Sequence, residues 1–371
     1  MDTKNRFTII IPTRERCDTL VSTIHSALAL DYDNFEILIS DNASSDQTYE
    51  LVASIKDDRI RYINTGRRVS MSHNWEFAFD HLCDGWVTIL GDDDAILPGA
   101  LLKVNKIINE TGVLALRSNG ANYVWPTLNE NGRGYLNVSL RRGHSRVNSR
   151  EALQRVMQGK LHYNKLPMLY NGGFIHKSLI DNAKNVSGKF FHSMTPDVYS
   201  AVVFSLLTND YIYVNEPLSI NGASHHSGGT AVFEKQKKKR NYDPGEKFLS
   251  EANIPFHQDI PLVYEKPVRS LHAIVYEAYL QAARFFSGVD GISHEKMLRV
   301  ILENPGPHPE EVTEWARLFA AKHRIEMGRE IGVKKFDINE FVSSNLQWIG
   351  DRITSYRMVG NPDVPLNNSY E

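Results

Sequence analysis

Cysteine is scarce: the 371 residues include two, Cys17 and Cys83. So few thiols exclude a disulfide framework, and with no secretory signal pattern they point to a reducing, cytoplasmic setting. Long apolar runs are missing as well. The opening one, Phe7 to Pro12, is too short for a signal core. No stretch reaches the roughly 18 apolar residues of a membrane-spanning helix, so any membrane contact is expected to be peripheral. Neither sign of charge dominates, because 42 Lys and Arg against 44 Asp and Glu leave a formal net charge of -2. That balance gives no reason to expect nucleic acid as a partner. Internal repeats and low-complexity segments are also absent. What remains is globular, with 42% apolar and 23% charged residues. The length exceeds what one core usually serves, so a main domain with an appended region is expected.

The first 115 residues alternate between two patterns. Phe7-Thr-Ile-Ile-Ile11 is a β-branched run stopped by Pro12, a buried strand. From Asp18 to Leu30 the apolar positions Leu20, Val21, Ile24, Ala27 and Leu28 form a helical stripe, with Asp18 as its expected N-cap. Strands follow at Phe35–Ile39, Arg59–Ile63 and Gly85–Leu90, separated by helices at about 45–55 and 71–82. Strands alternating with helices predict a parallel, doubly wound sheet, whose ligands gather beyond the carboxyl ends of its strands. From 115 to 235 the pattern loosens into short strands, turns and helices near 150–158 and 196–207. The basic run Lys235-Gln-Lys-Lys-Lys-Arg240 and Asn241-Tyr-Asp-Pro-Gly245 mark a boundary. Beyond it, 268–286, 293–303, 309–327 and 338–349 read as helices with no carboxylate or histidine cluster.

One feature of this pattern carries chemistry. The strand ending at Leu90 runs, after Gly91, into Asp92, Asp93 and Asp94. Adjacent carboxylates repel and raise one another's pKa, and their common use is to hold a divalent cation through oxygen. The plain alternative is an acidic helix start, since Pro98-Gly99-Ala-Leu-Leu-Lys opens a helix. One Asp suits that alternative better than three. Asp41 closes the second strand at the same rim of the sheet, although Asp-Asn-Ala-Ser-Ser is also good turn chemistry.

Pro12-Thr-Arg-Glu-Arg16, Ile39-Ser-Asp-Asn-Ala-Ser-Ser-Asp-Gln-Thr48 and Leu90-Gly-Asp-Asp-Asp94 together resemble the ordered landmarks of family 2 glycosyltransferases. The resemblance covers about residues 6–230. It implies a GT-A fold, a Rossmann-like mixed sheet flanked by helices, here with a C-terminal helical region. It further implies a nucleoside-diphosphate sugar as donor, a UDP-sugar being the first expectation, and Mn2+ or Mg2+ bridging its diphosphate. On this resemblance Asp41 would bind the base, with Pro12, Thr13 and Arg16 lining the same pocket. Asp92 would fall near the ribose, Asp93 would ligate the metal and Asp94 would support it. The family often has Asp where this chain has Gly91, which leaves the division of roles among the three acids open. Asn74 matches a position near the nucleotide, although a capping or solvent-facing Asn is nearly as good a reading.

The resemblance continues downstream. Tyr170-Asn-Gly-Gly-Phe-Ile-His176 is similar to a Gly-Gly segment that passes the sugar and acceptor, placing Gly172 and Gly173 there; a simple turn explains them equally well. Asp197, in Met194-Thr-Pro-Asp-Val-Tyr-Ser200, occupies the position of the base in an inverting reaction, which takes the proton of the acceptor hydroxyl. The family's Glu-Asp pair is absent here, because Pro196 stands in its first place. Asp197 also suits a helix start, whose dipole is expected to keep it ionised. His225 and His226 fall where a residue can reach the metal or diphosphate, although paired loop histidines are commonly solvated. The basic run at 235–240 is either a solvated surface or a contact with an anionic membrane face.

The resulting expectation is a cytoplasmic, metal-dependent, inverting hexosyltransferase of surface polysaccharide assembly, with a glycan or lipid-linked acceptor. Its catalytic domain would span 1–235, divided near 115 into nucleotide and acceptor halves, and a helical region would span 241–371. Two alternatives remain. One is a sugar-1-phosphate nucleotidyltransferase, although the first turn lacks that class's Gly-rich phosphate loop. The other is a non-catalytic sugar-nucleotide-binding module, disfavoured by the acid cluster together with Asp197.

Overall fold

The computed structural model describes residues 3–128, 133–224, 248, 251–285, 291–327 and 355–359. The N-terminal alternation is as expected. Strands β1 (Phe7–Thr13), β2 (Phe35–Asp41), β3 (Ile60–Asn64) and β4 (Trp86–Ile89) alternate with helices α1 (Cys17–Leu28), α2 (Thr48–Ser54) and α3 (Met71–Phe79). β1 pairs in parallel with β2 on one side and β4 on the other, and β2 pairs in parallel with β3. The order β3-β2-β1-β4 reverses direction at β1, so the crevice beyond the ends of β1 and β4 is a topological switch point. Thr13 and the three acids emerge at that crevice.

The second half makes the sheet mixed. After β5 (Ala95–Ile96) and α4 (Ala100–Thr111) come β6 (Ala115–Val124), β7 (Tyr135–Ser139), β8 (His144–Asn148) and α5 (Ser149–Met157). Then follow β9 (Gly173–His176), α6 (Lys177–Ser187), α7 (Pro196–Leu207) and the long β10 (Asp210–Ala223). β9 lies antiparallel between β4 and β6, and β10 runs parallel to β6 with shifts in register after Val214. β10 also pairs antiparallel with β5, which brings its C-terminal end against the turn that follows β4.

Side chains of β1 alternate between two cores, as a sheet covered on both faces requires. Phe7, Ile9 and Ile11 pack with Leu20 and Ile24 of α1 and with Leu101 and Val104 of α4. Ile10 faces α3, α5, α6 and α7. The C-terminal helices α8 (Leu271–Gln281), α9 (His294–Glu303) and α10 (Pro309–His323) share that second cluster, with Tyr276, Trp315 and Phe319 fully buried. A last strand, β11 (Ser355–Val359), returns to pair antiparallel with β7.

Several local expectations need correction. The N-cap of α1 is Arg16, with no side-chain cap bond, and Asp18 sits inside the first turn. α6 had been missed because its stripe is thin, with Leu179, Ile180 and Ala183 alone buried; the His176 side chain caps it by accepting from the Ser178 N–H. The C-terminal region is not wholly helical, since β11 belongs to the sheet. The helix expected over 338–349, the basic run 235–240, the boundary at 241–245 and both His225 and His226 lie outside the described residues.

Candidate functional site

Asp92, Asp93 and Asp94 are each at least nine-tenths buried, and each meets a different set of partners. Asp92 faces the end of β1: the Thr13 hydroxyl donates to Oδ2 at 2.8 Å and the Arg16 guanidinium to Oδ1 at 2.7 Å. Burial raises the Asp92 pKa, Arg16 offsets part of the rise, and Asp93 adds to it. For Arg16, burial opposes the charge, but Asp92 and Asp93 outweigh it and hold the proton more firmly than usual.

Asp93 faces the end of β10. Its Oδ2 accepts from the Ser224 hydroxyl at 2.5 Å, and its backbone carbonyl accepts from the Trp125 indole N–H at 3.0 Å. Asp94 turns back into the chain, where Oδ2 accepts from the Gly91 N–H at 2.9 Å and Oδ1 from the Gly222 N–H at 2.7 Å. The Tyr170 hydroxyl bonds it as well. Burial and then Asp93 push the Asp94 pKa up to about 7, against these donors. A Cβ at Gly91 would stand 2.6 Å from Asp94 Oδ2 and 2.9 Å from the Tyr170 hydroxyl, so a side chain there would displace both from the positions in which they meet.

Asp197 joins the same rim from α7. The Tyr163 hydroxyl donates to its Oδ2 at 3.0 Å. Burial raises the Asp197 pKa, and the Val198 N–H and Tyr163 lower it by less. The expected dipole effect is therefore overridden by desolvation. The charge of Asp197 also raises the pKa of Tyr170, after burial, Asp94 and Asp93. Tyr170 thus bonds Asp94 and also feels the charge of the acid of α7.

The remaining expected residues hold the rim together. Both oxygens of the buried Asp41 are occupied: Oδ1 accepts from the Ser44 N–H and hydroxyl, Oδ2 from the Tyr62 hydroxyl at 2.5 Å and Asn64 at 3.0 Å. Asn74 is buried and bonds Ser40 at both ends, pinning α3 to β2 rather than capping or facing solvent. Pro12 lies within β1, opposite Ser40. Gly172 has φ +87°, and a Cβ there would meet the Ser118 Oγ at 2.3 Å. At Gly173 a Cβ would fall 1.4 Å from the Met168 carbonyl oxygen. Both glycines are required by close approach within the protein, which carries the Tyr170 segment past the acids.

Tyr163, Tyr170, Ser224, Gly222 and Trp125 were not picked out from the sequence. Tyr170 had a signal, since it directly precedes Asn171-Gly172-Gly173, and so did Ser224, which directly precedes His225 and His226 in a segment where the resemblance puts a His or Ser near the metal or diphosphate. Tyr163, Gly222 and Trp125 had none, being brought to the site only by the fold. Arg117 was missed too: it is buried and donates to the carbonyls of Asn164, Tyr170 and Asn171, fixing the loop that carries both tyrosines. Among the described residues no group of three or more His, Cys, Asp or Glu is arranged to hold a metal ion.

Comparison with known proteins agrees with this fold. Residues 8–157 match the glycosyl transferase family 2 model. The GalNAc(5)-diNAcBac-PP-undecaprenol beta-1,3-glucosyltransferase of Campylobacter jejuni is 34% identical over 108 residues, 28% of this chain and 35% of that protein. The UDP-Glc:alpha-D-GlcNAc-diphosphoundecaprenol beta-1,3-glucosyltransferase WfaP of Escherichia coli is 44% identical over 52 residues, 14% of this chain and 21% of that one. The similarity therefore spans about a third or less of either relative. Among solved structures, S. aureus TarS 1-349 in complex with UDP-GlcNAc superposes with a TM-score of 0.51 at 14% identity, covering 93% of this chain and 79% of that one. That likeness shows the GT-A fold.

Proposed function

Taking residues 8–157 as a glycosyltransferase family 2 domain, we propose that the chain transfers a sugar, with inversion, from a nucleoside-diphosphate donor to an acceptor hydroxyl. The donor is a UDP-sugar and the acceptor a glycan or lipid-linked saccharide, in keeping with what the relatives' names say of them. The supporting observation is the meeting, at one switch-point crevice, of a buried acid cluster and a second acid, Asp197, through Tyr170.

The donor set suits a hard divalent cation. Two neighbouring carboxylates, Asp92 and Asp94, have raised proton affinity, and Mg2+ or Mn2+ typically takes one or two carboxylates and completes its shell with phosphate oxygens and water. Asp93 is the carboxylate that would hold it. Asp94, with a backbone N–H on each oxygen, supports that turn from behind. A metal bound there supplies positive charge to the departing diphosphate.

The chain's own residues do the rest. Thr13 and Arg16 fix Asp92 at the floor of the nucleotide side. Asp41, saturated by its neighbours, shapes the rim around the base. Asp197 takes the proton from the acceptor hydroxyl as that oxygen attacks the anomeric carbon, and Tyr163 orients the carboxylate. Because burial raises its pKa, Asp197 is a stronger base than an exposed aspartate, and a better match to neutral pH. No helix among the described residues is long and apolar enough to cross a membrane.

Asp93→Asn tests the donor half. It should leave thermal unfolding nearly unchanged and abolish Mn2+-dependent UDP binding in calorimetry, because the neutral amide loses the charge that holds the cation. Undiminished binding by the variant would sink the assignment. A panel of nucleotide-sugars, scored for hydrolysis and for stabilisation with Mn2+, would then identify base and sugar. Pyrophosphate release from a nucleoside triphosphate would mark a nucleotidyltransferase instead.

A further inference from the structure

We propose that Lys189, His192 and Arg284, flanked by Arg67 and His73, form a site for the phosphate or diphosphate group of an anionic acceptor. The inference rests on the transferase reading and extends it to the acceptor side. These groups come from four separate stretches: the loop after β3, the first turn of α3, the segment before α7, and the turn directly after α8. His192 Nε2 lies 3.2 Å from an Arg284 guanidinium nitrogen and 3.2 Å from the Lys189 carbonyl oxygen.

Their convergence is built by buried contacts. The Ser72 hydroxyl, beside His73, donates to the Ser193 carbonyl at 2.7 Å, and the Ser193 hydroxyl donates to the buried Glu277 of α8 at 2.6 Å. Glu76 takes the Phe190 and Phe191 N–H groups, holding the segment that carries Lys189 and His192 against α3. A solvated surface normally intersperses acids with its basic residues. Here the two nearby carboxylates are engaged elsewhere, Glu76 with Lys184 and the two backbone amides, Glu277 with Ser193, His257 and Gln281. Among the described residues Arg67, Lys189 and Arg284 form no ion pair.

The field at the cluster is correspondingly positive. Burial, then Arg284 and Lys189, push the His192 pKa down to about 4. Burial, then Lys189 and Arg67, lower that of His73 despite Glu76. Arg67, His73, Lys189 and Arg284 are exposed, so an anion can reach them. The His192 ring lies 6.3 Å from that of Tyr199, in the first turn of α7, which sets the patch beside the helix that carries Asp197. An arginine with a lysine and neutral imidazole donors suits a phosphate, which accepts several charge-assisted hydrogen bonds at once.

The test uses inorganic pyrophosphate as probe, titrated calorimetrically at low salt in EDTA so that metal-dependent donor binding is silent. Lys189→Ala and Arg284→Ala lie on the surface and should fold as the parent does. The double variant should bind pyrophosphate more weakly by an order of magnitude or more, and Arg284→Lys should recover part of the loss. Mn2+-dependent UDP binding should stay within about twofold of wild type, the factor that here separates the two sites. Unchanged pyrophosphate affinity in the double variant overturns the proposal, as does an equal loss of UDP binding, which would assign the patch to the donor. Loss of binding to phosphatidylglycerol vesicles with pyrophosphate affinity intact overturns it in favour of a membrane surface. Failure of UDP to bind the wild type would instead count against the transferase reading and leave the pyrophosphate result readable.

Discussion

Gly222→Ala puts the architecture of the acid cluster under test without removing a charge. Gly222 sits near the end of β10, and its N–H donates to Asp94 Oδ1 at 2.7 Å. An added Cβ would stand 1.7 Å from the Asp93 carbonyl oxygen and 2.8 Å from the Trp125 indole nitrogen. The first distance is about half an ordinary van der Waals separation, and both neighbours are rigid, one backbone and the other an indole that donates to that same carbonyl. Backbone conformation is not the obstacle, since Gly222 is not among the glycines with positive φ. The strand and the acid turn must therefore part by more than an ångström. Overpacking of this kind costs about 1–3 kcal/mol, and losing a hydrogen bond to a charged group adds about 1.5–3 kcal/mol; one displacement relieves both, so the sum is an upper bound. A misplacement of about 1 Å at a reacting centre can cost on the order of a hundredfold. Thermal unfolding and Mn2+-dependent UDP calorimetry read the two effects separately. Melting should fall by several degrees and UDP affinity by more than tenfold, while Gly291→Ala, where nothing lies within 4 Å, should change neither. Wild-type UDP affinity in Gly222→Ala would refute the idea that the β10 end and the acid turn form one donor site.

Other outcomes follow from the same geometry. Asp197→Asn should leave UDP and metal affinity intact and lower turnover by roughly two to four decades, the usual contribution of a general base; full activity would leave the reaction without its base. Tyr163→Phe removes a donor that favours the ionised Asp197, so its already raised pKa should rise further and the acid limb of kcat/KM should move to higher pH; an unshifted limb would separate Tyr163 from the base. Glu277→Ala strips an acceptor from Ser193, the His257 N–H and Gln281 and should destabilise by about 2–4 kcal/mol. Burial raises the Glu277 pKa, so the folded state keeps a proton that the unfolded chain has already lost. Wild-type stability from this group should therefore decline as pH rises from the ordinary carboxylate value through the raised one, and Glu277→Gln should flatten that slope in melting curves against pH.

The parallel half of the fold was legible because β1 and β4 are apolar, β-branched runs and α1 carries an apolar stripe of Leu20, Ile24 and Ala27. Asp92, Asp93 and Asp94 stood out by charge density alone. Their partners did not, because Ser224 and Gly222 lie about 130 residues away and meet the acids only once β10 has paired with β5 and β6. Asp41 illustrates the opposite difficulty. Its place at the end of β2 could be read directly, whereas the saturation of its oxygens by Tyr62 and Asn64 of β3 depends on the pairing of those strands. Gly172 and Gly173 were visible as a motif, but the atoms that demand glycine there, on Ser118 and Met168, belong to other segments. Asp197 was found with its helix start, yet sequence reasoning gave its environment the wrong sign, since a first-turn acid ordinarily gains from the dipole and burial here outweighs that gain.

Three successive acids remain folded at the end of a core strand because they do not share one environment. Thr13, at the end of β1 beside β4, and Arg16, the N-cap of α1 just after it, both bond Asp92, and Arg16 brings the opposite charge. The Gly222 N–H and the Ser224 hydroxyl come from the end of β10, one for Asp94 and the other for Asp93. Tyr170 comes from the segment before β9, the strand on the other side of β4. Donors therefore converge on the acids from both neighbouring strands and from above, which a turn on an isolated strand could not obtain. Among the described residues Arg16 brings a full positive charge, whereas Thr13, Tyr170, Ser224 and the Gly91 and Gly222 N–H groups bring neutral donors. Hydrogen bonds of that kind lower the cost of burying a carboxylate but do not cancel it. The uncancelled part is what raises the pKa of both Asp92 and Asp94. A structural turn would gain stability from replacing either acid with a neutral residue. On the proposed reading, an incoming cation and its phosphate ligands would complete that balance, which is why the donor half of the reaction is assigned to these three acids.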